Sequence, residues 1–400
     1  MDGPQRQDPA ACTVTMKGHG CPISRRSTDI PPFLVMEVLE RAQALEREGR
    51  EIIHLEVGEP DFETPACIRE AGIRAIQEGK TRYTHSLGLL ELREAICEDY
   101  HREYGVEVTP DRIVVTSGTS PALLLLFGAL IDPGEEIIIA DPHYACHPSF
   151  VDFLGGRSVY VPVGEEDGFQ LHAEEIRGRL TPKTKGILVN SPANPTGNLL
   201  SAGRMAAIAA LGPCVISDEI YHGLVYEDRA HSILEFTDDA FVLNGFSKKY
   251  AMTGWRLGYV IAPRRFVRPM QKLQQNFLIS AGSIPQHAAL AALREAGPDV
   301  ARMVGVYDER RRFMVRRLRE LGFGITVEPT GAFYVLANAR HLDGDSHRLA
   351  FDILERAGVA VTPGIDFGSN AEGYLRFSYA NSLEKIAAAM DRLGAYLQAR

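Results

Sequence analysis

The sequence predicts an α/β protein: a large unit with a mainly parallel seven-stranded sheet between helices, followed by a smaller α+β unit. Between residues 113 and 262, short apolar runs rich in β-branched side chains alternate with helix-like segments, the pattern of a largely parallel sheet. After about residue 300 the texture changes to an Arg-rich helical stretch over 300–321, then single strands over 332–337 and 374–379 separated by helices. Four hundred residues with 45% hydrophobic content are enough to bury two or three compact units.

In chain order, residues 1–26 carry Gly, Pro, Arg and Gln but no apolar stretch, and are expected to be a disordered leader rather than a secretory signal. An N-terminal segment, 27–61, contains a helix over 31–49 that starts after a Pro pair, with Val35, Val38, Leu39, Ala42 and Leu45 at helical spacing. The large unit spans 62–298, with sheet strands expected over 113–116, 136–140, 158–163, 186–190, 214–217, 241–244 and 257–262. The small unit spans 299–400, its boundary lying near Gly297-Pro298.

Lys plus Arg is 43 and Asp plus Glu is 52, a formal charge of −9 that disfavours nucleic acid and anionic membranes as partners. The longest nearly apolar run, 121–131, is about half of the roughly 20 residues a membrane span needs. Six cysteines with no C-x-x-C pair form no disulfide framework, which points to reduced thiols and a cytoplasmic location.

The most informative segment is GFSKKYAMTGWR (245–256), which sets Lys248 eight residues before Arg256. An amine nucleophile beside an anion clamp suits pyridoxal 5'-phosphate, whose carbonyl is held covalently by a lysine and whose phosphate needs a fixed cation. Arg fits the second task because its planar fork makes two parallel hydrogen bonds to phosphate. A solvated turn and an ordinary ion pair are the competing readings, and spacing alone does not separate Lys248 from Lys249.

Other candidate groups cluster at strand ends, where open α/β sheets gather ligands. TSGTSPAL (116–123) reads as strand, turn and helix, with Ser120 as N-cap and Pro121 at the first helical position, so that free N–H groups face a phosphate. In VISDEIY (215–221), Asp218 can hold a pyridine nitrogen protonated, or it can simply cap the next helix; Glu219 is the rival carboxylate. Tyr221, three residues on, can donate to a ring oxygen. SPANPTG (191–197) is a rigid loop presenting Asn194. Tyr144 in DPHY (141–144) is either a stacking or a core aromatic. His143, Cys146 and His147 lack a fourth ligand nearby, so no metal is expected. In YLRFS (374–378), alternation puts Arg376 on one face with Tyr374 and Ser378, where it can clamp a carboxylate or form a surface salt bridge.

Taken in order from about residue 30 onward, these motifs resemble those of the class I and II aminotransferases, pyridoxal-phosphate enzymes of fold type I. The resemblance implies that Lys248 is the covalent lysine and that Gly118, Thr119, Ser120, Ser247 and Arg256 surround the phosphate. It implies Asp218 on the ring nitrogen, Asn194 and Tyr221 on the ring oxygen, and Tyr144 on the ring face. Arg376 would bind the substrate carboxylate, with Asn194 beside it. Gly58 of LEVGEPDF (55–62) would line the substrate, and a cis bond is expected at Asn194-Pro195. Tyr83 of RYTHSLG (82–88) would reach the phosphate of a neighbouring subunit, which implies a homodimer with shared sites. The segment before residue 62 would pack with the small domain.

The implied reaction moves an amino group from an L-amino acid to a 2-oxo acid, with 2-oxoglutarate as the expected acceptor, by a ping-pong cycle. Some dicarboxylate-using relatives place Lys where Ser120 stands, or Arg in the region of QQNF (274–277); this chain has neither, which tilts the donor toward apolar, aromatic or small neutral amino acids. An eliminating lyase on the same scaffold is the alternative chemistry, and a non-catalytic regulator the alternative class.

Overall fold

A computed structural model describes residues 23–400. The expected leader therefore lies largely outside the described residues. Residues 23–31 hold one short helix, Arg25–Asp29, with no buried side chain. Residues 32–400 form one compact unit built on three sheets.

Twelve strands run in the order β1 (Ile53–His54), β2 (Ile113–Thr116), β3 (Glu136–Asp141), β4 (Arg157–Pro162), β5 (Thr184–Asn190) and β6 (Cys214–Asp218). They continue with β7 (Ala240–Gly245), β8 (Gly258–Ile261), β9 (Tyr334–Asn338), β10 (Val359–Ala360), β11 (Thr362–Pro363) and β12 (Tyr374–Ser378). The large sheet has the order β2-β8-β7-β6-β5-β3-β4. Its seven strands are the seven the sequence predicts, each within two residues at either end. Only β8 runs against its neighbours, and β3 to β7 pair in parallel. Both faces of this sheet are covered, so its central strands read as continuous apolar runs such as IVVT and AFVLNG rather than as alternating ones.

Helix Thr119–Leu130 shows how sequence becomes position. Its TSPALLLLFGAL is apolar on every side, so it lies buried between the sheet and helix Arg264–Phe277, with Leu125, Leu126 and Phe127 in the core. The expected N-cap was Ser120; the observed one is Gly118, at φ +95°, and the helix starts at Thr119. A left-handed cap favours glycine, and a Cβ there would meet Nη2 of Arg256 at 2.7 Å. Pro121 accordingly occupies the third helical position, not the first, where its missing N–H still falls among the unbonded first four.

The smaller antiparallel sheet, β11-β12-β9, pairs Arg376 with Leu336 and Ser378 with Tyr334. Helix Gly297–Glu320 replaces the expected 300–321. The expected helix over 31–49 is observed as Leu34–Arg47, and its Val38, Ala42 and Leu45 pack with Leu354 and Ala360. Strand β1 pairs in parallel with β10. These two-residue strands were not legible in the sequence, being shorter than one period of alternation. Truncating Leu126 to Ala should cost about 3 kcal/mol through lost burial and a residual cavity, read as a lowered urea midpoint with little change in slope.

Candidate active site

The carboxyl ends of β2, β5, β6 and β7 open onto one cavity of about 230 Å³. It is lined by Thr119, Ser120, Tyr144, Asn194, Asp218, Tyr221, Lys248, Gly58 and Arg376, nine of the expected site residues. Gly118 and Arg256 lie against each other just beyond Thr119. Ser247 precedes Lys248 and is half-buried. Tyr83 stands apart, 81% exposed.

Lys248 donates to the carbonyl of Gly58, inside the cavity. Burial pushes its ammonium down to about 8, helped by the like charges of Arg376 and Arg256 and opposed by Glu59 and Asp218. Lys249 instead lies over the Tyr250 ring and against Gly223, and its neighbours Tyr250, Asp99 and Glu103 outweigh its burial and hold it cationic. Two adjacent lysines are thus separated by tertiary surroundings into an amine that loses its proton more readily and a fixed charge.

Asp218, the last residue of β6, bonds His147 Nε2 at 3.0 Å and accepts from the Ile220 N–H at 3.2 Å. It therefore does form a local turn contact of the capping kind, while its other oxygen pairs with a buried imidazole. Glu219, the rival, faces the core, where Ser217, Ser232, Tyr100 and the Ile233 N–H bond it and burial pushes it up to about 7. His147 was weighed only as a metal ligand; its role as partner to Asp218 depends on helix Cys146–Phe153 packing behind the sheet end. His143 bonds the Ala140 carbonyl and is pushed by burial down to about 4, so it is neutral at pH 7. Among the described residues no group of three His, Cys, Asp or Glu is placed to hold a metal.

The Asn194-Pro195 bond is cis, as expected, as are Ser191-Pro192 and Asp141-Pro142. Asn190 was missed: its side chain accepts from the Asn194 N–H and donates to the Asp218 carbonyl, tying the loop to β6. Tyr334 was missed too. It shares the β9-β12 face with Arg376, bonds Tyr221 Oη at 2.8 Å, and leaves so little room that a Cβ on Gly58 would fall 1.9 Å from its hydroxyl. Burial pushes the Tyr221 phenol well above its ordinary value, so it remains a hydrogen-bond donor.

Arg376 is 3% exposed, yet it forms no ion pair with any described residue. Its guanidinium lies 4.4 Å from the Tyr334 ring centroid and 4.8 Å from that of Phe367. Nη1 donates to Asn194 Oδ1 at 3.0 Å, and Nη2 to the Glu56 carbonyl and to Thr362. Nε is buried and has no partner. A desolvated cation with an unused donor is unfavourable unless an anion completes it.

The donor set fits pyridoxal phosphate. An amine with a lowered pKa shares the site with a helix start, a guanidinium, a buried carboxylate and a phenol, which meet the demands of an aldehyde, a phosphate, a pyridine nitrogen and a ring oxygen. An open α/β sheet with these groups at its strand ends defines a pyridoxal-phosphate enzyme of fold type I.

Comparison with known proteins agrees. Residues 50–393 match the family model of aminotransferase class I and II. The chain is 41% identical to the (5-formylfuran-3-yl)methyl phosphate transaminase of Methanocaldococcus jannaschii, covering 94% of this chain and 99% of that one. It is 39% identical to the aspartate/prephenate aminotransferase of Thermus thermophilus, over 94% and 98%. A solved Methanococcus jannaschii structure, reported as similar in its active site to kynurenine aminotransferases, superposes with a TM-score of 0.88 at 41% identity, over 94% of this chain and 100% of that one. The chain therefore belongs to the class I and II aminotransferase family. It is a pyridoxal-phosphate-dependent transaminase.

With cofactor-free protein, capture of the cofactor aldehyde followed by absorbance should accelerate as pH rises through about 8 and then level off, because only the neutral Lys248 amine attacks. A midpoint near the ordinary 10.5 would show that burial does not act on this group.

Proposed function

We propose that the enzyme moves an amino group from a neutral, apolar or aromatic L-amino acid to a 2-oxo acid, with 2-oxoglutarate as acceptor, in a ping-pong cycle. The observation that carries this reading is the buried guanidinium of Arg376, which forms no ion pair with any described residue and lines the cavity that also holds Lys248. It matches the one group every α-amino acid and 2-oxo acid share, the α-carboxylate, which a planar fork grips with two hydrogen bonds.

The bound cofactor supplies an electron sink for charge developing at the substrate α-carbon. The residues of the chain do the rest. Arg376 and Asn194 orient the carboxylate, and Asp218, backed by His147, presents a fixed negative charge to the ring nitrogen. Thr119, Ser120, Ser247 and Arg256 would hold the phosphate at the helix start, where Gly118, lacking a Cβ, leaves room for Arg256. Tyr144 would lie against the ring and Tyr221 would donate to its oxygen, while Lys248 Nζ would take the substrate α-proton as general base and return it as general acid.

Donor choice follows from the remaining wall. Phe33, Val35, Met36 and Ile220 line it, and Asp218, Lys248 and Arg376 are its only charged members. Ser120 stands where a cation would serve a second carboxylate, and Gln274 is buried with its amide bonded to the Ser86 and Val115 carbonyls.

A homodimer with shared sites belongs to the same reading. Tyr83, Phe277 and Ile279 are large exposed apolar side chains, and the 80–86 loop that carries Tyr83 is bonded to Gln271 and Gln275 of helix Arg264–Phe277 and to Ser283, which suits a surface that a second copy covers. A cytoplasmic location is proposed with it: four of the cysteines are free thiols, and no helix among the described residues is long and apolar enough to cross a membrane.

A panel of amino donors, scored by conversion of 2-oxoglutarate to glutamate, should rank leucine-, phenylalanine- or kynurenine-like donors above aspartate. Arg376→Ala should raise KM for all donors roughly 10- to 100-fold, the size of a lost charge-assisted contact. Pyruvate release from cysteine conjugates without any acceptor would overturn the transfer reading in favour of elimination. Mixing Lys248→Ala with Tyr83→Ala subunits should restore activity, since each mixed dimer regains one native site; a self-contained site would show no recovery.

A further inference from the structure

Beside the cavity runs the loop that carries Glu56. This side chain is fully buried, and its Oε1 bonds His54 Nδ1 at 2.7 Å while Oε2 has no partner. His54 reaches outward through Nε2 to Glu46 at 3.1 Å. The carbonyl of the same residue accepts from Arg376 Nη2 and from Thr362 Oγ1, the latter at 3.0 Å. Two residues further on, the Gly58 carbonyl accepts from Lys248. One short loop thus orients both cations of the site, and its only buried side-chain charge is tied to His54.

We propose that the His54–Glu56 pair is a positioning device for Arg376, so that it governs affinity for the substrate α-carboxylate without taking part in proton transfer. This rests on the reading of Arg376 as the carboxylate ligand. The physical link is the backbone of residue 56. The carbonyl and the side chain share one Cα, so a shift of residue 56 that carries the carbonyl away from Arg376 also pulls the buried carboxylate from His54 Nδ1, and its Oε2 already lacks a partner. While the pair is intact, that shift is opposed; once it breaks, the guanidinium loses a fixed acceptor.

The pair is also sensitive to pH. The bond to Glu56 raises the His54 imidazole to about 9, against its burial, with Glu46 adding to the rise. A raised imidazole contributes fully below its ordinary 6.5 and loses its contribution as pH climbs through about 9. Glu46, on helix Leu34–Arg47, and Glu56 are the ionisable groups facing it. Strand β10 offers only Val359 and Ala360, and on helix Leu383–Gln398 Glu384, Lys385 and Asp391 form no ion pair with it, while Arg392 pairs with Glu51.

The test uses the holoenzyme with Glu56→Gln and His54→Asn. Both should raise KM for every amino donor, and the dissociation constant of a carboxylate inhibitor, about tenfold, the loss expected for one charge-assisted bond, with kcat and the cofactor absorbance unchanged. Wild-type inhibitor affinity should weaken from pH 7.5 to 9.5, and His54→Asn should abolish that step. Unchanged KM, parallel losses in kcat and cofactor binding, or a pH step that survives in His54→Asn would each overturn the proposal. Arg376→Ala separates the two readings: if it too leaves KM unchanged, the carboxylate assignment fails, and if it alone raises KM, only the positioning role does. Should Glu56→Gln fail to fold, His54→Asn, at a partly exposed position, carries the same readouts.

Discussion

The structure is organised around a desolvated guanidinium. Arg376 reaches the cavity from β12, and everything that holds it comes from elsewhere in the chain: Asn194 from the loop after β5, the Glu56 carbonyl from the N-terminal segment, Thr362 from β11, and the rings of Tyr334 and Phe367. Removing a charge from water is costly unless its donors are satisfied. The neutral partners fix the plane of the fork and none cancels its charge, so the residual attraction is left for an anion. A carboxylate partner within the protein would have neutralised it and closed the site.

The same economy of neutral contacts appears at Asp218 and Lys248. The acid is bonded by an imidazole and an N–H, which orient it, while its neighbour Glu219 is absorbed into a five-partner core network. The amine feels two arginines and two acids, a balance in which burial decides the outcome. Reactivity here comes from position relative to the sheet end, since Lys249, one residue away, is held fully charged.

Much of the frame was legible because its signals are local and repeated. Strands buried on both faces produce apolar runs that no helix period explains, and the motifs after them carry Gly and Pro where turns demand them. The helix start after β2 was misplaced because Ser-Pro is a strong capping signal, whereas the need for a left-handed residue against Arg256 arises between segments 138 residues apart. His147, Asn190 and Tyr334 escaped notice for a related reason: a lone His, Asn or Tyr at a strand or helix end is ordinary until its partner is known.

By itself, the sequence determined the fold class, the seven main strands and the resemblance through which Lys248, Asp218, Asn194, Arg256 and Arg376 were singled out, because spacing along one chain records hydrophobic period, turn chemistry and motif order. Only the tertiary structure decided which lysine has its pKa lowered by burial, which carboxylate faces the cavity, and that Arg376 is buried without an ion pair among the described residues. Those properties are set by desolvation and by charges brought together from distant segments, and a linear order of residues does not encode distance in space.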